Sequence, residues 1–138
     1  MKERTVTVFR EWRTLEDAWR KLERSGHCTV FQTYDWVAAW YANTVKHGRA
    51  QPLVVTVSDD EGIAWLLPLC QHRRKGLNFI SFADLGVSDY AGPVMAPVDR
   101  IGPEDLPHVL KAIMRALPRC DVVHFQKLQQ FIEGRPNP

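Results

Sequence analysis

The chain has 138 residues, 45% of them hydrophobic, and its 18 basic and 16 acidic side chains leave a formal charge of +2. That length suits one compact domain burying about two-thirds of its unfolded surface, and near-balanced charge argues against the concentrated basic face that a nucleic-acid partner needs. The opening "MKERTVTVFREW" has no apolar region of the kind a secretory signal carries, and no segment reaches the ~20 apolar residues of a membrane span, so a cytoplasmic location without a membrane span is expected.

"TVTVF" (Thr5 to Phe9) alternates like a half-buried strand. A helix follows, with Thr14 as its cap, Asp17 in the capping-box position, Leu15, Ala18, Trp19 and Leu22 on one face, and Gly26 as its stop. A second helix lies in "TYDWVAAWYANTVKHG", where Thr33 caps, Asp35 suits the positive end and Gly48 terminates. Its apolar face is Val37, Trp40, Tyr41 and Val45, flanked by Trp36.

The period then changes from 3.6 to 2. Pro52 to Val57, Ile63 to Leu69 and Leu77 to Phe82 are apolar runs joined by short polar connections ending in glycine, which predicts an antiparallel meander. Pro68 cannot donate to a ladder, so a bulge or lost pairing is expected there. "PEDLPHVLKAIMRALP" sets Leu106, Val109, Leu110, Ile113 and Leu117 on one helical face, with Pro107 tolerable only in the first turn. Cys120 to Phe125 reads as a last, buried strand. The order is β-α-α-β-β-β-(long loop)-α-β: a mixed α/β (α+β) sheet, mainly an antiparallel meander with one parallel crossover. Residues 1–126 form a single lobe, and 127–138 read as a tail or linker with no finished element.

Cys28, Cys70 and Cys120 are odd in number, widely spaced and without a CxxC pattern, so they read as small hydrophobes, and no metal site is suggested. His124 reads as a satisfied sheet residue, and His72-Arg73-Arg74-Lys75 as a solvated turn.

Between the meander and the last helix run twenty residues, Asp84 to Pro103, where about two to six are usual. This loop is too apolar for a solvated tail and leaves the carboxyl end of a strand, where clefts form in α/β folds. Tyr90 offers a stacking face and a hydroxyl, and Asp89, beside Ser88, can fix an amine or a sugar hydroxyl. Equally, Ser88-Asp89 can be a capped turn and Tyr90 a plug over the core. Trp36 and Trp40, one helical turn apart, can line a sugar-binding cleft or pack as core; Trp65, mid-strand, reads as core.

In sequence and spacing, "FQTYDWVAAWY", "AWLLPLCQHRRKG" and "LGVSDYAGPV" resemble the amino-terminal half of CelD-like proteins, the FemAB-related branch of the GNAT acyltransferases. The resemblance implies a two-lobed parent, this chain being its acceptor-side lobe. That parent would move an acyl or aminoacyl group onto an amine of a small-molecule, saccharide or peptide acceptor in cellulose, exopolysaccharide or envelope assembly. The partner of this lobe would be a second GNAT-like lobe holding acetyl-CoA or another acyl-CoA. The usual phosphate-cradling turn, Q/R-x-x-G-x-G/A, is absent before the last helix. Gly102 is followed by Pro103, Glu104 and Asp105, so this lobe is expected to bind no cofactor itself. Arg73-Arg74-Lys75-Gly76-Leu77-Asn78 is a near match in the wrong place, between two strands. No residue is singled out as a general base. The alternative is a stand-alone, non-catalytic binding or dimerisation module. Self-association in isolation is expected through the Cys120 to Phe125 strand, an edge that the missing half would cover.

Overall fold

The computed structural model describes residues 2–138. In chain order the elements are β1 (Thr5–Phe9), α1 (Glu16–Ser25), α2 (Tyr34–Lys46), β2 (Gln51–Asp59), β3 (Gly62–Arg74), β4 (Leu77–Phe82), β5 (Val94–Met95), α3 (Leu106–Ala116), β6 (Val122–Val123), β7 (Phe131–Ile132) and β8 (Arg135–Pro136). The main sheet runs β1-β2-β3-β4-β6, antiparallel except for the β4–β6 pair, and β5 pairs with β3 beyond the end of β4. A mixed sheet with one parallel pair separated by a helix is the architecture expected from the sequence.

Each sheet face is buried, which is why the strands read as nearly continuous apolar runs. Val54, Leu66 and Cys70 pack against Trp19, Val37, Trp40 and Tyr41 of α1 and α2. Leu53, Val55, Leu67, Leu69, Ile80 and Phe82 pack on the opposite face with Val109, Ile113 and Leu117. The two largest fully buried aromatics have partners for their polar tips: Trp19 Nε1 donates to Gln32 O at 2.9 Å and Tyr41 Oη to Leu69 O at 2.6 Å. Their apolar bodies therefore stabilise the core without leaving a buried donor unmatched.

Several local expectations change. Thr14 does not cap α1: it lies in a 3-10 turn, Trp12–Leu15, capped by Glu11, and its hydroxyl donates back to Glu11 O at 2.8 Å. Thr33 occupies the cap position of α2, but its hydroxyl donates to Val30 O, and Glu23 of α1 accepts from the Tyr34 N–H at 2.8 Å instead. Strand β3 continues through His72, Arg73 and Arg74, so only Lys75 and Gly76, both at positive φ, make the hairpin turn. At Pro68 the register with β2 is intact, opposite Val54, and the bulge lies at Val57/Ser58. What Pro68 lacks is an outer strand partner, because β4 ends opposite Leu69 and β5 begins opposite Leu66. Leu110 of α3 is exposed rather than packed.

Cys120 to Phe125 is not a buried strand. Only Val122 and Val123 pair, both half-buried, and His124 is exposed although its N–H donates to Ile80 O at 2.9 Å. Residues 127–138 are more ordered than the sequence suggests. β7 and β8 form a hairpin about Glu133 and Gly134, both at positive φ, and Ile132 is fully buried in the α3-side core. Among the described residues no helix is long and apolar enough to cross a membrane.

Candidate functional site

The stretch after β4 is anchored at both ends. Ala91 to Ala96 are all buried, with β5 laid on β3 and bridged to His27 by paired backbone bonds of 2.9 Å. At the other end, Asp84 to Val87 make a tight turn closed by Val87 N donating to Asp84 O at 3.2 Å. Its two central residues, Leu85 and Gly86, have φ of 46° and 87°. A bulky non-glycine residue at positive φ is unusual and costly, so something must hold it.

Asp84 supplies that hold. Its Oδ1 accepts the Ser88 N–H at 2.6 Å, and its Oδ2 lies 3.0 Å from Lys127 Nζ, which also donates to Ser88 O at 2.6 Å. Trp40 Nε1 donates to the Asp84 carbonyl at 3.0 Å. Lys127 thus ties the 127–138 segment to the turn, and Leu85 and Val87 are left standing out into solvent.

These two side chains form one wall of a cleft of about 800 Å³ whose other wall is α2. Val30, Trp36, Trp40 and Arg49 complete the main lining, with Thr33, Asp35 and Asn43 supplying polar groups. Trp40 is only 8% exposed and belongs to the core as much as to the cleft. Trp36 is half-buried and meets Phe31 edge-on at 5.1 Å, and Phe31 in turn lies 6.3 Å from Tyr90. An aromatic row therefore runs Trp36, Phe31, Tyr90 along the surface. Trp65 is core.

The structure brings Trp36 and Trp40 together in the cleft and places the other three candidates elsewhere. Ser88 is buried beneath the turn, with its hydroxyl unpartnered among the described residues. Asp89 is exposed. Tyr90 is 48% exposed and is fixed through its carbonyl, which accepts from Gln32 Nε2 at 3.0 Å. Tyr90 is therefore no plug, and the turn-capping carboxylate is Asp84 rather than Asp89. A half-exposed ring loses only part of its burial on truncation, so Tyr90→Ala is expected to cost about 1 kcal/mol or less in thermal melts, well short of the ~3 kcal/mol of a buried aromatic. Asp89→Ala should stay within about 0.5 kcal/mol of the parent.

Sequence reasoning missed Leu85, Val87 and Arg49. The Leu-Gly-Val triplet carried a usable signal, an apolar residue on each side of a turn glycine, whereas Arg49 carried none.

The start of α3 does not fit an acyl-CoA pyrophosphate. Asp105 sits at the cap position, its N–H already donating to Gly102 O at 3.0 Å and its carboxylate paired with Arg4 at 2.7 Å. Pro103 has no N–H, and the Glu104 carboxylate occupies the space beside Gly102, 2.5 Å from where a Cβ would lie. Two carboxylates at this end complement the helix dipole themselves and would repel a phosphate. At the β2–β3 turn, Asp59, Asp60 and Glu61 gather their oxygens within 4.8 Å. Arg100 already pairs with Asp59 at 2.5 Å and Lys2 with Glu61 at 2.8 Å, so cationic side chains meet this charge.

Burial disfavours the thiolate at all three cysteines. Burial pushes the Cys28 thiol up to about 12, helped by Glu23 and Glu133, and the Cys70 thiol up to about 11. Burial also raises Cys120, with Asp121 adding to it. A thiolate is the reactive form. At pH 7.5 Cys70, the buried cysteine, should remain unlabelled by iodoacetamide over a period that fully alkylates free cysteine, and should label once the protein is unfolded in urea.

No family model, no curated protein and no solved structure matches the chain.

Proposed function

We propose that this chain is the acceptor-side lobe of a GNAT-type, FemAB-related N-acyltransferase whose acyl-CoA is held by a second lobe. The observation that carries the reading is the cleft, in which Trp36 and Trp40 of α2 face Leu85 and Val87 of the strained turn. An aromatic, mostly apolar trough with a few polar groups on its rim suits a saccharide or peptide carrying the amine to be acylated: flat ring faces stack on tryptophan, while hydroxyls and amines reach Thr33, Asp35 and Asn43. The run β1-α1-α2-β2-β3-β4, followed after the short β5 by α3 and β6, and the parallel β4–β6 pair support the fold side of the reading. The acidic, proline-blocked start of α3 supports placing the acyl-CoA elsewhere.

On this reading the lobe contributes binding and orientation. Holding the acceptor so that its amine points at the thioester turns an encounter into a positioned reaction, and the proton released by the amine leaves through solvent with no side chain here assigned to take it. The test has two arms on the 138-residue chain. Calorimetry should show acetyl-CoA binding no more tightly than free inorganic pyrophosphate, and a micromolar affinity well beyond that of pyrophosphate would overturn the division of labour between lobes. Titration with an amino-sugar oligosaccharide should quench tryptophan fluorescence in the parent chain and less so in Trp36→Ala; equal quenching in both would remove the cleft from the site.

A further inference from the structure

A second groove, of about 700 Å³, adjoins the cleft, and Arg49 and Leu85 border both. Its floor follows from the pleat. Cys70 faces α1 and α2, Ser81 pairs with Cys70, and His72 pairs with Phe79, so His72, Phe79 and Ser81 share that face. Val122 pairs with Phe79, so His124, two residues on, lies on the same side. α2 stops at Lys46 and the chain turns at Gly48, whose φ is 63°, before the helix reaches these residues. The sheet is left open here, and Arg49, whose N–H donates to Thr44 O at 2.9 Å, stands at the rim with Arg73 and Arg74.

What marks this groove is that several cations without carboxylate partners line one concavity. Arg4, Arg13, Arg20, Arg100, Lys127 and Arg135 each pair with a carboxylate. Among the described residues no carboxylate lies within ion-pair distance of Arg49, Arg73 or Arg74, and Arg73 spends one donor on Gly76 O at 3.2 Å. The one acid in the lining is Asp84, buried and already engaged by Lys127 and the Ser88 N–H. The floor is ordered as well: His72 stacks on Phe79 with ring centroids 5.6 Å apart, and its Nε2 lies 3.2 Å from Ser81 Oγ.

We propose that this groove binds the phosphate or pyrophosphate group of a ligand, with Arg49 and Arg74 as the charged contacts and the His72–Phe79 pair as the floor; Arg73 alternates to the other face of β3 and adds only to the potential at the rim. Two guanidinium groups without carboxylate partners at the edge of a concave site concentrate positive potential, and their planar forks match phosphate oxygens two at a time. The proposal stands apart from acyl transfer, because it uses neither α3 nor the acceptor cleft beyond the shared Arg49.

The probe is inorganic pyrophosphate, titrated calorimetrically at low salt into the full chain. Saturable binding is expected, weakened by added salt, and weakened about threefold to tenfold by each of Arg49→Ala and Arg74→Ala. Arg74→Lys should recover part of the loss, and Arg115→Ala, on α3, should bind as the parent does. The His72 and His124 ring resonances should move on titration in the parent. A second arm, co-sedimentation with phosphatidate-containing vesicles, identifies the source of the phosphate. Arginine-dependent binding to free pyrophosphate indicates a soluble ester, and arginine-dependent binding to vesicles alone indicates a lipid headgroup. Binding to neither, or binding indifferent to Arg49 and Arg74 in variants whose melts are unchanged, would overturn the proposal. None of these outcomes depends on saccharide quenching or on acetyl-CoA.

Discussion

Gly26→Ala is expected to destabilise the protein by about 3 kcal/mol or more, since of the glycines it has the closest backbone contact for an added methyl. A Cβ at this position would lie 1.9 Å from Met95 O and 2.8 Å from Leu22 O, both backbone atoms that no rotamer change can move aside. The reason for glycine is thus not a left-handed turn, since φ is −106°, but the closeness of two backbones. Immediately beyond it, His27 N donates to Met95 O and Met95 N to His27 O, both at 2.9 Å, which ties the end of α1 to β5. Making room for the methyl means separating that bridge, at roughly 1 kcal/mol for each hydrogen bond lost, in addition to overpacking of about 1 to 3 kcal/mol. Gly102→Ala is the control. There the crowding atom is the flexible, exposed carboxylate of Glu104, which can swing away, so a much smaller loss is expected. Urea denaturation of both variants decides the point, and a Gly26→Ala loss under about 1 kcal/mol would mean that α1 and β5 can separate at little cost.

That contact also explains what the sequence could and could not reveal. The helices and the meander were legible because their apolar residues recur at fixed periods, and β4 was found with both its boundaries, Leu77 and Phe82. β5 was not. It is two residues long, lies between Pro93 and Pro97, and earns its place only by pairing with Trp65 and Leu66 and bridging to His27. Proline and glycine are turn signals locally, and nothing within "AGPVMAP" reveals that a distant strand has a vacant edge just past Pro68. The caps failed for a related reason. Thr14 and Thr33 are good cap residues, but both hydroxyls donate back to carbonyls three residues earlier, while Glu11 caps the 3-10 turn at Arg13 N and Glu23 takes the Tyr34 N–H from a neighbouring helix.

The cleft divides along the same line. Trp36 and Trp40 were found because helical spacing puts them on neighbouring positions of one element. Asp89 and Tyr90 were chosen for chemical type, and type does not reveal which acid in "DLGVSDY" faces inward. Asp84 does, because Lys127 arrives from the far end of the chain to meet it, and no local pattern encodes that arrival.

Asp84 therefore makes the sharpest remaining test of the site, and its two conservative replacements should behave differently. Asp84→Ala removes the acceptor of the buried Ser88 N–H, bonded at 2.6 Å, and an unmatched buried donor costs about 1 to 3 kcal/mol. The loss of the Lys127 contact adds little, because that ammonium is partly exposed and keeps its bond to Ser88 O. A total of about 2 to 3 kcal/mol is expected, borne locally: the Trp40 bond to the Asp84 carbonyl remains, but the residues after Leu85 lose their side-chain anchor, so the turn should open below the global unfolding free energy. Asp84→Asn retains an oxygen for Ser88 and should lose only about 1 kcal/mol. Hydrogen exchange reads the difference directly. The Val87 and Ser88 amides should lose protection in the alanine variant and keep most of it in the asparagine variant, and quenching of Trp36 by an amino-sugar ligand should fall in parallel as Leu85 and Val87 leave the wall of the cleft. Equal protection in the two variants would mean that β5 and the β7–β8 hairpin hold the turn unaided, and that Asp84 has no special part in shaping the site.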